Sequence, residues 1–144
     1  YGPFMVLGSY YLQTKRIDLI PFIISIILGL LIFSLAIVNE VPDYFQDKLV
    51  GKRNLVVRWG RKKSVKLFSV SLLCAFILLG LGIVFKKIPR QSILAFLLLP
   101  YVLKSIGTAQ KHYDQPKYFL PAIRTTIFTY IIVVFFLTIS YLGG

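Results

Sequence analysis

Residues 17–38 read IDLIPFIISIILGLLIFSLAIV: roughly 20 residues with almost no charge, the length a helix rising 1.5 Å per residue needs to cross a bilayer. Further runs of the same kind lie on either side. Val65 to Phe85 is a second span, whose Gly80 and Gly82 permit close helix contact; Lys86 and Lys87 end it. Ile88 to Leu103 is shorter, begins with a proline and carries Pro100 near its far end, which predicts a tilted or kinked span. Phe119 to Leu142 is the last span, closed by Gly143-Gly144. Upstream, Tyr1 to Leu12 reads as the later part of a hydrophobic helix already under way, joined to residue 17 through Gln13-Thr14-Lys15-Arg16. Asn39 to Ser64 is a polar stretch, read as a loop on one side of the membrane, and Lys104 to Tyr118 is a polar loop. With 57% hydrophobic residues and a mean hydropathy of +0.77, the chain is expected to be all-α, a polytopic transmembrane helical bundle of about four complete spans plus a partial first one.

Because the chain opens on Tyr1 in mid-helix, it is expected to be a fragment lacking its N-terminal portion. No charged segment followed by a cleavage site marks a secretory signal. Cys74 stands alone inside an apolar run, so no intrachain disulfide is available and the thiol reads as a small hydrophobe. Orientation follows from where Lys and Arg gather, since each span reverses the chain. The Asn39 to Ser64 stretch holds Lys48, Lys52, Arg53, Arg58, Arg61, Lys62 and Lys63, and the second stretch on that side adds Lys104, Lys111 and Lys117; the other side has Lys15, Arg16, Lys86, Lys87 and Arg90. The Asp43/Asp47 loop is therefore predicted to face the cytoplasm. The net charge of +12 is dispersed over helix ends, where anionic lipid headgroups account for it, and no nucleic acid is expected as a partner.

The chemistry lies just past the first complete span, in Asn39-Glu40-Val41-Pro42-Asp43-Tyr44-Phe45-Gln46-Asp47. If helix continues from Val38 to about Leu49, with Pro42 kinking or restarting it at the membrane boundary, Asn39, Asp43 and Asp47 project from one face at successive turns. Like charges four residues apart weaken a helix unless a cation joins them. Magnesium is held by one or two carboxylates together with substrate phosphate oxygens and waters. Asp43 and Asp47 are thus expected to hold a divalent cation, which in turn holds a diphosphate. Gly51 can end the helix, letting Lys52 and Arg53 fold back as charge-assisted donors to the same phosphates, with Arg58 a further candidate. A solvated cytosolic loop is the plainer alternative.

These residues resemble a known family. Residues 39–48, continuing through Gly51-Lys52-Arg53-Asn54-Leu55-Val56-Val57-Arg58-Trp59-Gly60, look like the second aspartate-rich motif of the UbiA superfamily of intramembrane prenyltransferases. The opening Gly2-Pro3-Phe4-Met5-Val6-Leu7-Gly8-Ser9-Tyr10-Tyr11-Leu12-Gln13-Thr14 resembles the preceding segment in the branch that acts on 1,4-dihydroxy-2-naphthoate in menaquinone biosynthesis. The resemblance spans essentially the whole chain, as the C-terminal half of a nine-helix domain. Asn54 stands where the family usually has Thr, and Trp59 where it has Leu; the first aspartate-rich motif lies upstream of Tyr1, so the fragment by itself is expected to be inactive.

The resemblance implies Mg²⁺-dependent transfer of a polyprenyl group from a polyprenyl diphosphate to an aromatic acceptor, within the lipid bilayer of a bacterial or archaeal cell membrane. Asp43 and Asp47 would be the catalytic metal ligands, Asn39 a supporting contact, and Lys52, Arg53 and Arg58 diphosphate contacts. Tyr11 and Gln13, with Tyr10, can line the acceptor pocket, although interfacial aromatics are common anchors. His112, next to Lys111 and Tyr113, can assist substrate binding but reads first as a solvated loop residue; Asp114 and Arg124 belong to the same surface, where Arg124 reads as a snorkelling side chain ahead of a paired functional role. Other acceptors, such as 4-hydroxybenzoate, fit the same motif. A transporter or channel would place ionisable residues at the bilayer midplane, where these spans have none. A lipid-binding membrane domain without turnover is a third reading.

Overall fold

In the computed structural model, which describes residues 2–142, the apolar runs fold as helices and no strand forms among the described residues. Tyr1 and the Gly143-Gly144 pair, read above as a mid-helix opening and a chain end, lie outside them. The order is α1 (Gly2–Thr14), α2 (Leu19–Glu40), the short α3 (Tyr44–Leu49) and α4 (Leu55–Trp59), α5 (Arg61–Val84), a 3₁₀ segment (Arg90–Leu98), α6 (Leu99–His112) and α7 (Pro116–Leu142). Four helical stretches are long and apolar enough to cross a membrane: Leu19–Glu40, Arg61–Val84, Arg90–His112 and Pro116–Leu142. The chain is an all-α polytopic bundle.

The core forms where α2 packs along α5 and α6 along α7, with α2 also against α7. Ile27, Leu31 and Val38 of α2 meet Phe68, Leu72 and Leu79 of α5, while Val102 of α6 and Phe119 of α7 close the other side. Apolar packing between helices gains little over packing against lipid tails, so close approach and interhelical hydrogen bonds do more of the binding. Ser105 Oγ donates to the Ala122 carbonyl at 3.0 Å, tying α6 to α7, and Gln110 Nε2 donates to Ser69 Oγ at 3.2 Å, tying α6 to α5. Helices α1 and α2 come close together at Gly2 and Gly29, where a Cβ on Gly2 would strike the Gly29 backbone. Gly82 likewise leaves room for Ile88, so the close contact expected of this glycine is made with the turn that leads into the 3₁₀ segment.

Two expectations need correcting. Lys104 to Tyr118 is not a loop: α6 runs to His112, and only Tyr113–Gln115 turn the chain. Val102, Ser105, Ile106 and Ala109 are buried at helical spacing, so Lys104 and Lys111 lie on the outer side of a continuous helix, with Gln110 on the flank that meets α5. Asn39 to Ser64 likewise holds α3, α4 and the start of α5. The expected irregularity near Pro100 takes the form of 3₁₀ helix. Pro100 has no N–H for the Phe96 carbonyl, and in the 3₁₀ pattern Leu99 N–H takes that acceptor instead.

The connections alternate between two ends of the bundle. Val41–Gly60 and Tyr113–Gln115 share one end, where Arg61 pairs with Asp114; Lys15–Asp18 and Phe85–Pro89 lie at the other, where Tyr141 Oη donates to the Lys87 carbonyl at 3.3 Å.

Candidate functional site

The site is built from the chain leaving α2. Pro42 offers no N–H to the Val38 carbonyl, so α2 stops at Glu40, and Val41–Asp43 form a turn before α3 begins. Asn39, Asp43 and Asp47 therefore do not form one ladder on a continuous helix, which corrects the single-face expectation in favour of a restart. Asn39 is exposed on the last turn of α2. Asp43 is exposed at the N-cap of α3, its carboxylate making no capping bond, while Asp47 N–H donates to the Asp43 carbonyl at 2.8 Å. Asp47 turns inward and is only 6% exposed.

What surrounds Asp47 follows from how α3 ends. Gly51 takes φ +73°, a left-handed conformation that favours glycine. Its N–H donates to the Lys48 carbonyl at 3.3 Å and Lys52 N–H to the Asp47 carbonyl at 2.9 Å, the paired bonds of a Schellman cap. The cap returns the chain over its own last turn, so Lys52 Nζ donates to Asp47 Oδ1 at 2.6 Å. Asn54 Nδ2 donates to Asp47 Oδ2 at 2.8 Å, and Asn54 Oδ1 accepts the Val57 N–H at 2.8 Å as the N-cap of α4. Both Asp47 oxygens are thus held. The Asp47 hydrogen bond, and next its charge, raise the Lys52 ammonium above the ordinary lysine value; the charges of Asp43 and Glu40 add to this more weakly. Asp43, Asp47, Glu40 and Lys52 therefore share one electrostatic neighbourhood.

The other residues named from sequence divide by place. Arg53 and Arg58 are exposed at the same end of the bundle, and among the described residues neither bonds to Asp43 or Asp47. Tyr11 and Gln13 are not brought to this site. They stand on the last turns of α1, beside the connection into α2, and the 22 residues of α2, about 33 Å of helix, separate that connection from Asp43. There Tyr10 donates to Asp18, and Lys15 lies over the Tyr11 ring at 5.7 Å. His112 ends α6, its Nδ1 3.4 Å from Gln115 Oε1, and Arg124 is exposed on α7.

Sequence reasoning missed Asn54 and Arg61. Asn54 carried the signal of an N-cap before the apolar run Leu55-Val56-Val57. Arg61 Nη2 donates to Asp114 Oδ1 at 2.5 Å, 53 positions away, and its guanidinium lies 4.5 Å from the Phe45 ring centroid and 5.4 Å from that of Tyr44. This clamp fastens α3 to the α6–α7 turn; only the fold brings its members together.

Asp43 and Asp47, hard oxygen donors one helical turn apart, fit one side of a magnesium site in which phosphate and water supply the remaining ligands. Among the described residues no group of three or more His, Cys, Asp or Glu side chains is placed to enclose an ion alone.

Residues 1–132 match the UbiA prenyltransferase family. The chain is 29% identical over 143 residues to the 1,4-dihydroxy-2-naphthoate octaprenyltransferase of Bacillus subtilis, covering 98% of this chain and 45% of that protein. It is 21% identical over 117 residues to the 2-carboxy-1,4-naphthoquinone phytyltransferase of Synechocystis sp., covering 81% of this chain and 38% of that protein. Over 78 residues it is 38% identical to the 1,4-dihydroxy-2-naphthoate octaprenyltransferase of Haemophilus influenzae, covering 51% of this chain and 25% of that protein. The chain thus spans less than half the length of these relatives. No solved structure matches it significantly.

Proposed function

The chain belongs to the UbiA prenyltransferase family, and from that premise we propose that the protein transfers a polyprenyl group from a polyprenyl diphosphate to an aromatic acceptor, with Asp43 and Asp47 as ligands of Mg²⁺. The observation that carries this reading is the inward-turned Asp47 carboxylate, held by Lys52 and Asn54 at one end of a membrane bundle with Asp43 a turn away.

Mg²⁺, when bound, neutralises charge developing on the departing diphosphate. Lys52 holds Asp47 Oδ1 as a cation in waiting. Its side chain is 62% exposed, so it is free to swing from the carboxylate to a phosphate oxygen as substrate arrives. Arg53 and Arg58, exposed at the same end, add charge-assisted donors to that anion. The apolar helices keep water from the allylic cation until an electron-rich ring captures it. The names of the relatives favour 1,4-dihydroxy-2-naphthoate as acceptor and a place in menaquinone biosynthesis. The concentration of Lys and Arg at the Asp43/Asp47 end supports a cytoplasmic location for the site, and the scarcity of charge along the spans disfavours transport.

The test is prenyl transfer by the intact protein in membranes, with Mg²⁺ supplied or chelated. Asp43→Ala and Asp47→Ala are each expected to lower the rate by about 100-fold or more, the scale seen when one preorganised electrostatic group is lost, while the protein stays folded. Wild-type rates in either variant, or full activity with Mg²⁺ removed, would overturn the reading.

A further inference from the structure

We infer that Asn54 is the positioning residue of the cation site: it fixes the Asp47 carboxylate so that one oxygen alone, Oδ1, is exchangeable between Lys52 and a divalent cation. This rests on the reading of Asp47 as a ligand given above.

The geometry is reciprocal. Asn54 commits its carbonyl oxygen to the Val57 N–H, which anchors the side chain to the first turn of α4, and its amide nitrogen to Asp47 Oδ2. A carboxamide held at both ends does not rotate, so the bond it makes to Oδ2 sets the plane of the carboxylate. Oδ1 is bound differently, by the tip of a mostly exposed lysine. One oxygen therefore faces a fixed, half-buried, uncharged donor and the other a mobile charge. A cation displaces the mobile partner readily. Displacing Asn54 would leave its amide without an acceptor and loosen the α4 cap. Outer partners that orient a ligand in this way commonly change metal affinity by about 10- to 100-fold when removed.

Asn54→Ser separates positioning from capping, because serine caps a helix about as well as asparagine but its short hydroxyl does not reach Asp47. In the purified intact protein, with Mn²⁺ titrated in the presence of inorganic pyrophosphate and followed by electron paramagnetic resonance, Asn54→Ser is expected to weaken Mn²⁺ binding by about 10-fold or more. Its melting temperature is expected to fall only slightly, for the single bond to Asp47 that is lost, and prenyl transfer recovers at saturating Mg²⁺. Asn54→Ala, which also removes the cap, is expected to melt lower yet to weaken Mn²⁺ binding to the same extent as Asn54→Ser. Unchanged Mn²⁺ affinity in Asn54→Ser, or affinity that follows melting temperature across the two variants, overturns the inference. Asp47→Asn distinguishes the two levels. If it abolishes binding while Asn54→Ser does not weaken it, the ligand assignment stands and the positioning role falls. If Asp47→Asn leaves Mn²⁺ binding intact, the ligand assignment itself is wrong.

Discussion

Asp43 and Asp47 sit one turn apart yet differ in surroundings, and their removal should differ accordingly. Asp43 is exposed and makes no capping bond, whereas Asp47 satisfies Lys52 and Asn54. Both alanine variants are expected to lose activity, but only Asp47→Ala should also lose stability, by about 1 kcal/mol for the partners it strands; thermal melting of the two purified variants checks this. Lys52 supplies a pH test. Its ammonium is raised by Asp47, so the contribution of the pair is fully present below the unfolded lysine value and disappears as pH climbs through the higher folded one. The difference in melting temperature between wild type and Lys52→Gln should therefore be flat from weakly acidic to weakly alkaline pH and close only above the ordinary lysine range. A difference that closed near neutrality would contradict the assignment. The acidic pair and the returning lysine were legible in the sequence, because DxxxD and Gly-Lys-Arg are local signals. The second partner of Asp47 was not, since an asparagine that caps one helix and steadies a carboxylate on another looks like any polar loop residue until the turn is folded.

At the level of elements, α5 ends in the same kind of cap as α3, but with Lys86 rather than glycine in the left-handed position, at φ +54°. Lys86 N–H donates to the Ile83 carbonyl at 3.0 Å and Lys87 N–H to the Gly82 carbonyl at 2.9 Å. A non-glycine residue there costs about 1 kcal/mol, so Lys86→Gly should stabilise the protein by roughly that amount, read as a higher melting temperature. Gly51→Ala should do the reverse at α3 and slacken the hold of Lys52 on Asp47. The long spans were readable because about 20 apolar residues admit few alternatives. Helix α6 was not, because its outer face carries Lys104 and Lys111 and only the spacing of Val102, Ser105, Ile106 and Ala109 shows it to be helix. The break after Glu40 was half legible: Pro42 announced it, but proline alone does not say whether a helix bends or stops.

For the molecule as a whole, the alternation of connections makes a prediction about sidedness. In a Cys74→Ser background, single cysteines at Gln46 and Gln115 should react with an impermeant thiol reagent from one side of sealed vesicles, and cysteines at Arg16 and Lys87 from the other. Labelling of Gln46 and Gln115 from opposite sides would contradict the topology. The distribution of Lys and Arg already pointed to this arrangement, whereas the clamp of Arg61 on Asp114 did not show, because nothing in a linear chain marks two positions so far apart as neighbours. The contrast between the two ion pairs bears on how the protein assembles. Lys52 and Asn54 lie five and seven positions from Asp47, loops short enough to close within about 10–100 ns, so that cluster can tie itself as soon as its own few residues leave the ribosome. The Arg61–Asp114 clamp waits for two more membrane crossings to be threaded. The acidic cluster is thus a local, early-closing unit, and its fastening to the rest of the bundle follows later in biogenesis.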